Sequence, residues 1–215
     1  VFALIRLPLK PTGQASLGQK LHAIVRSRFI AALFFTAVLV IGVELSTIGV
    51  LSTFLAELRG FTALPAKLGL VVFLAGVACG RLLVGYLARP ERLHRMLLVL
   101  LALSTVTFAL LLLVPLGQFT LTVAFLAGLS LSAQFPLILT YAGLRFRDMT
   151  GTVLGAVKIA LPVGGILLPL LLSALTSAAS LHVALALLPV SLLLALAVFT
   201  LAGEMSTVTV PNHDT

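Results

Sequence analysis

Charged residues are nearly absent from six stretches of this chain and crowd into the gaps between them. The apolar runs cover residues 29–55, 68–88, 96–114, 118–144, 152–175 and 181–202. Each comes close to the ~20 residues that a helix needs to cross hydrocarbon. They are continuous runs, not ten-residue segments of alternating polarity, which predicts helices and not a transmembrane barrel. A helix also pairs its backbone N–H and C=O groups within one segment, as a bilayer demands. The connections are short and marked by Arg59-Gly60, Arg89-Pro90, Pro115-Leu116-Gly117 and the stretch from Arg145 to Gly151. The pattern therefore predicts an all-α membrane protein, with a bundle of six transmembrane helices over residues 29–202. Residues 1–28 read as the end of a preceding helix plus a linker, and 203–215 as a tail.

Composition agrees with that reading. The 215 residues are 60% hydrophobic and 9% charged, and mean hydropathy is +1.24. A soluble domain carries about 25% charged residues. The net charge of +8 would suggest nucleic acid in a soluble protein, but here the cations sit in loops. Arg6, Lys10, Lys20, Arg26 and Arg28 precede the first span, Arg89, Arg92 and Arg95 follow the second, and Arg145 and Arg147 follow the fourth. The opposite side holds Arg59 and Lys67. The Lys/Arg excess predicts that the first side, with both termini, is cytoplasmic. Cys79 is the sole cysteine, so no internal disulfide forms; inside an apolar run it reads as a small buried residue. Residues 1–5 are too short for a signal-peptide core and look like the end of an earlier apolar segment, so the chain is expected to be part of something longer.

Three ionisable residues lie within spans: Glu44, Arg81 and Lys158. Counted at 1.5 Å per residue, Arg81 is about 10 Å inside the cytoplasmic end of span two, Glu44 about 20 Å from that side and Lys158 about 9 Å. Such charges face a bundle interior or a water-filled cavity. The depths argue against a direct Glu44–Lys158 bond. Arg81 reads as a snorkelling or packing arginine, as a gate element, or as a direct substrate contact. Glu44 is the leading candidate for binding a polar solute or carrying a proton, the alternative being a carboxyl that only joins helices. Ser130, Gln134 and Tyr141 recur at helical spacing on span four, and either line an aqueous cavity or bond neighbouring helices. Gly76 and Gly80 form a GxxxG, as do Gly151 and Gly155. Pro136, Pro162, Pro169 and Pro189 sit within spans, where kinks are tolerated if neighbours satisfy the freed groups. No HExxH, P-loop or CxxC is present, and His22, His94, His182 and His213 fall in loops, tails or helix ends. Nothing in this set suggests an enzyme, a metal site or a cofactor.

A short internal echo relates GVELST (42–47) to GLSLSA (128–133), and CGRLL (79–83) to GGILL (164–168). It would pair spans one and two with spans four and five, as in a 3+3 inverted repeat. The stretch GRLLVGYLARPERLHR (80–95) resembles the loop motif between the second and third helices of a major facilitator superfamily half. Gly80, Gly85, Arg89, Arg92 and Arg95 fit it loosely, while Ala88 stands where the family has an acidic residue. With GVELSTIGVLSTFL (42–55), GLSLSAQFPLIL (128–139) and GTVLGAVKIALPVGGILLPLLLSAL (151–175), the ordered set resembles the C-terminal half of fucose/galactose/glucose–proton symporters.

That resemblance implies one half of a twelve-helix fold in a bacterial inner membrane, moving a small polar solute by alternating access. The missing partner would be an N-terminal six-helix half, fused or separate, or a second copy. Spans one and four would line the cavity, making Glu44, Ser130, Gln134 and Tyr141 substrate-binding. Spans two and five would form the contact between halves, giving Arg81, Lys158, Gly80, Gly85 and Arg89 gating or helix-interface roles. The family's proton-coupling carboxylates belong mainly to the other half. With no Trp, the nearest stacking platforms for a sugar are Phe35, Phe54 and Tyr141. A non-transporting membrane scaffold is the competing expectation.

Overall fold

The computed structural model describes residues 27–207, with side chains through Gly203. The expected linker, with Arg6, Lys10, Lys20, His22 and Arg26, and the end of the tail, with His213, lie outside the described residues. Span one is helix α1 (Arg28–Glu57), span two α2 (Ala63–Leu87) and span three α3 (Leu93–Leu113). Span four is divided into α4 (Thr120–Leu131) and α5 (Gln134–Arg145), span five into α6 (Thr150–Lys158) and α7 (Ala160–Ala178), and span six into α8 (Leu181–Leu185) and α9 (Leu187–Thr207). No strand occurs among the described residues. Among the described residues, six helical spans are long and apolar enough to cross a membrane. The chain is an all-helical integral membrane protein.

The three divisions have one cause. A proline has no N–H to donate to the carbonyl four residues earlier, and its ring crowds that carbonyl. Pro136 thus releases Ser132, Pro162 releases Lys158 and Pro189 releases Leu185. The breaks fall at or beside those residues. Pro169 remains inside α7. At the far end of span one, Gly60 turns the chain with φ +70°, and the Phe61 N–H reaches the Leu55 carbonyl at 3.0 Å. Arg59 then donates Nη2 to the Leu111 carbonyl at 2.9 Å. Its guanidinium lies 5.0 Å from the ring of Phe54, joining the ends of spans one and three.

Helix α1 is the most buried span and packs against α7, α9, α2 and α5. Helix α2 packs on α4, and α3 on α4 and α9. Two of these crossings depend on glycine. A Cβ on Gly76 would strike the Phe125 carbonyl, on Gly80 that of Leu129, and on Gly128 that of Phe73. On the other side, a Cβ on Gly164 would strike the Val38 carbonyl, and one on Gly42 would come 2.7 Å from Leu168 Cβ. Small residues let backbones approach this closely, so dispersion contacts accumulate where lipid supplies no hydrophobic drive.

Gly151 and Gly155, the second GxxxG, make no close helix contact among the described residues, with nothing within 4 Å of a would-be Cβ. One expectation needs correction: Cys79 is exposed, not buried. Its neighbour Gly80 faces span four, and one residue of helical rotation carries Cys79 off that contact.

The glycine crossings predict an order of stabilities. Gly128→Ala and Gly164→Ala meet backbone carbonyls that cannot swing aside, and each is expected to cost about 1–3 kcal/mol. Gly85→Ala and Gly155→Ala meet open space and gain helix propensity, so they should be neutral or slightly stabilising. Thermal unfolding of the four purified variants in detergent checks the order; equal losses would remove close packing as the explanation.

Candidate functional site

Glu44 lies on the buried side of α1 and Arg81 near the end of α2. Arg81 donates Nη2 to Glu44 Oε1 at 2.8 Å. It also donates Nε to the Ser132 carbonyl at 3.3 Å. That carbonyl is the one released by Pro136, so a break in span four supplies the second acceptor for the arginine. Gly80 helps by letting α2 approach Leu129 and Ser132 closely. The Glu44 side chain is 9% exposed and that of Arg81 55%. The carboxylate is therefore walled in by protein, while much of the Arg81 side chain lies open.

Arg81 borders two clefts. One of about 290 Å³ is lined by Glu44, Arg81, Leu45, Phe135, Pro136 and Leu161. The other, about 380 Å³, includes Arg81, Gly85, Ala88, Pro136 and Thr140. A third cleft of about 460 Å³ lies between α1 and α7 beyond Leu45. Its walls carry the hydroxyls of Ser46, Thr53, Ser173 and Thr176, and the carboxylate of Glu57. Ser46 Oγ is buried without a hydrogen-bond partner. Leu45 borders both this cleft and the one holding Glu44. Polar groups thus follow one another from Thr140 through Arg81 and Glu44 to Thr53.

Depths counted separately for each helix put Arg81 and Glu44 about 10 Å apart along the membrane normal. Ser132, the carbonyl partner of Arg81, is about 20 Å along span four from Arg145, and Arg145 lies over Phe29 at the start of α1. Arg81 is therefore deeper than the distance to the end of its own helix indicates, because span two stops short of the level where spans one and four end. The legible signal was Pro136, four residues after Ser132.

Of the two readings of the polar face of span four, bonding to a neighbouring helix is the one that Ser130 and Gln134 follow. Ser130 and Gln134 are fully buried. Gln134 Nε2 lies 2.7 Å from Ser104 Oγ, 3.0 Å from the Leu100 carbonyl and 3.1 Å from the Ser130 carbonyl. Ser130 Oγ is 3.2 Å from Thr107 Oγ1. These groups bond span four to span three, and the matching face was present in the sequence as Ser104 and Thr107, three residues apart. Tyr141 is in an aromatic cluster at the arginine-rich end, with ring centres 5.9 Å from both Phe29 and His94 and 6.1 Å from Phe199. Phe54 is buried beneath Arg59 and offers no open face, whereas Phe35 is exposed. Lys158 is exposed at the break between α6 and α7. Arg89 is also exposed, and Gly85 lines the 380 Å³ cleft without touching another helix closely.

What the fold and site define is a class: an integral membrane protein with six spans among its described residues and a deep ion pair bordered by clefts. No protein-family model and no curated protein sequence matches the chain.

The pairing predicts non-additive losses. Arg81→Met leaves a buried carboxylate and a released carbonyl without their donor, and is expected to cost about 2–4 kcal/mol, since about half of the arginine side chain is exposed. Adding Glu44→Gln to it should recover part of that loss, because no unpaired charge remains. Melting of the two single variants and the double variant measures the coupling. Strictly additive losses would show that the two residues do not act as a pair.

Proposed function

We propose that this chain is a six-helix half of a secondary transporter that moves a small polar solute by alternating access. The observation that carries the reading is the Glu44–Arg81 pair, set at a proline break and bordered by clefts on two sides. An ionisable pair at such depth is costly to keep unless a pathway uses it. The packing adds support. Span one packs on spans five and six, and span four on spans two and three. Exchanging the first three spans with the last three converts one set of contacts into the other, the relation a 3+3 inverted repeat requires. The Gly42–Gly164 and Gly80–Leu129 approaches fall on the two echoed motifs.

In this mechanism Arg81 holds Glu44 and the Ser132 carbonyl in one state. Solute hydroxyls or a proton arriving at Glu44 compete with the guanidinium for the carboxylate and so free Arg81, letting the halves rock. Leu45 is the apolar barrier between the ion-pair cleft and the hydroxyl-lined cleft. The second half is an N-terminal six-helix unit or another copy, and the arginine-rich end faces the cytoplasm. A sugar is the first solute class to test, with the proton as coupling ion.

The experiment is uptake of labelled L-fucose, D-galactose and D-glucose by cells that lack their own uptake systems and express the full native protein. One sugar should accumulate, faster at acid external pH. Glu44→Gln should cut its initial rate at least about tenfold with unchanged amounts in the membrane. Accumulation of none removes the sugar reading. Cysteines at Thr140 and Thr53, in a Cys79→Ser background, then separate transporter from scaffold. A transported solute should change their labelling rates in opposite directions, while rates that no solute alters would favour the scaffold.

A further inference from the structure

At the arginine-rich end, spans two and three flank a cleft of about 530 Å³, backed by Leu129 of span four, that the Glu44–Arg81 site does not use. Arg89, Arg92 and Arg95 stand at its rim, and its wall is apolar, with Leu83, Leu87 and Val99. All three arginines are exposed. We infer that this cleft binds one anionic phospholipid, its phosphate held by the arginines and an acyl chain laid along the leucine and valine side chains.

Glu91, exposed in the same turn, offsets one of the three charges, and the rim that remains is net positive and attracts an anion. Arg92 closes the short turn before span three, Arg95 stands in the first turn of that helix, and Arg89 approaches from the end of span two, so all three border one cleft. The planar guanidinium matches phosphate oxygens in a fork-to-fork arrangement. Span three also begins at Leu93 without a side-chain cap, so its first N–H groups add positive potential at the same rim. The apolar wall selects among anions. Leu83, Leu87 and Val99 are each about half exposed or more, and a soluble phosphate compound would leave them bare. A lipid covers both parts at once, and basic pockets between transmembrane helices are known to take such headgroups. The inference concerns lipid binding alone and stands or falls separately from transport.

The test uses the full chain purified in an uncharged detergent. Phosphatidylglycerol, phosphatidylcholine or inorganic phosphate is added, and the melting temperature and the lipid retained in native mass spectra are read. Phosphatidylglycerol should raise the melting temperature and remain bound, while phosphatidylcholine and inorganic phosphate should do neither. Arg92→Gln with Arg95→Gln should weaken retention by about fivefold per arginine removed. Val99→Trp fills the groove and leaves every charge in place, so it should lower retention too. Equal effects of the two lipids would overturn the headgroup assignment. Stabilisation by inorganic phosphate alone would show an anion site and no lipid site. Unchanged retention in the arginine variants would overturn the proposal even if Val99→Trp failed to fold.

Discussion

In a bilayer no water reaches the backbone, so a carbonyl that loses its helical partner must find a donor within the protein. Much of the chemistry of this chain follows from that constraint at one residue. Pro136 interrupts span four and releases the Ser132 carbonyl. Arg81 answers with its Nε, and this fixes the guanidinium where its other edge meets Glu44. The break, the arginine and the carboxylate are therefore one unit distributed over three spans. Glu44 is tolerated in the core because Arg81 stands beside it, and Arg81 at that depth has two acceptors to hold it.

Close approach of the helices makes this unit possible. Side chains of ordinary size at residue 76, 80 or 128 would push α2 and α4 apart at their carbonyls, and the reach from Arg81 to Ser132 would be lost. The equivalent closeness of α1 and α7 at Gly42 and Gly164 builds the wall that the hydroxyl-lined cleft runs along. Between these crossings, Gln134, Ser130, Thr107 and Ser104 bond spans three and four into a rigid pair. The bundle thus combines a tightly joined interior with two flanking spans, two and five, that keep much of their apolar surface open. Such surface suits lipid or another helical unit, and the arginine-rimmed cleft beside span two adds a place where charge selects which lipid.

The number of spans and their order were legible from the chain alone. Hydrophobic run length sets them, because bilayer thickness leaves little freedom in how long a crossing helix is. The prolines announced the breaks in spans four to six, and Gly76 and Gly80 announced one crossing, since both effects are local to the backbone. The deep placement of Glu44 and Arg81 was also readable as a sign of chemistry. Their pairing was not. It depends on how far each helix is shifted along its axis relative to its neighbours, and loop lengths leave that shift open.

The same limit explains the polar face of span four. A stripe of Ser130, Gln134 and Tyr141 looks identical whether it faces a cavity or another helix, because helical spacing reports only that the residues share a side. Rotation of span four about its own axis settled the matter. It turned Ser130 and Gln134 onto the hydroxyls of span three and placed Tyr141 among the rings of Phe29, His94 and Phe199. It left the Ser132 backbone, not a side chain of the stripe, to meet Arg81. Sequence by itself determined an all-helical membrane protein, its six crossings and the residues too polar to be idle within them. Tertiary structure decided the axial shift and rotation of each helix, and thereby which of those polar groups became mortar between helices and which became a charge pair open to clefts.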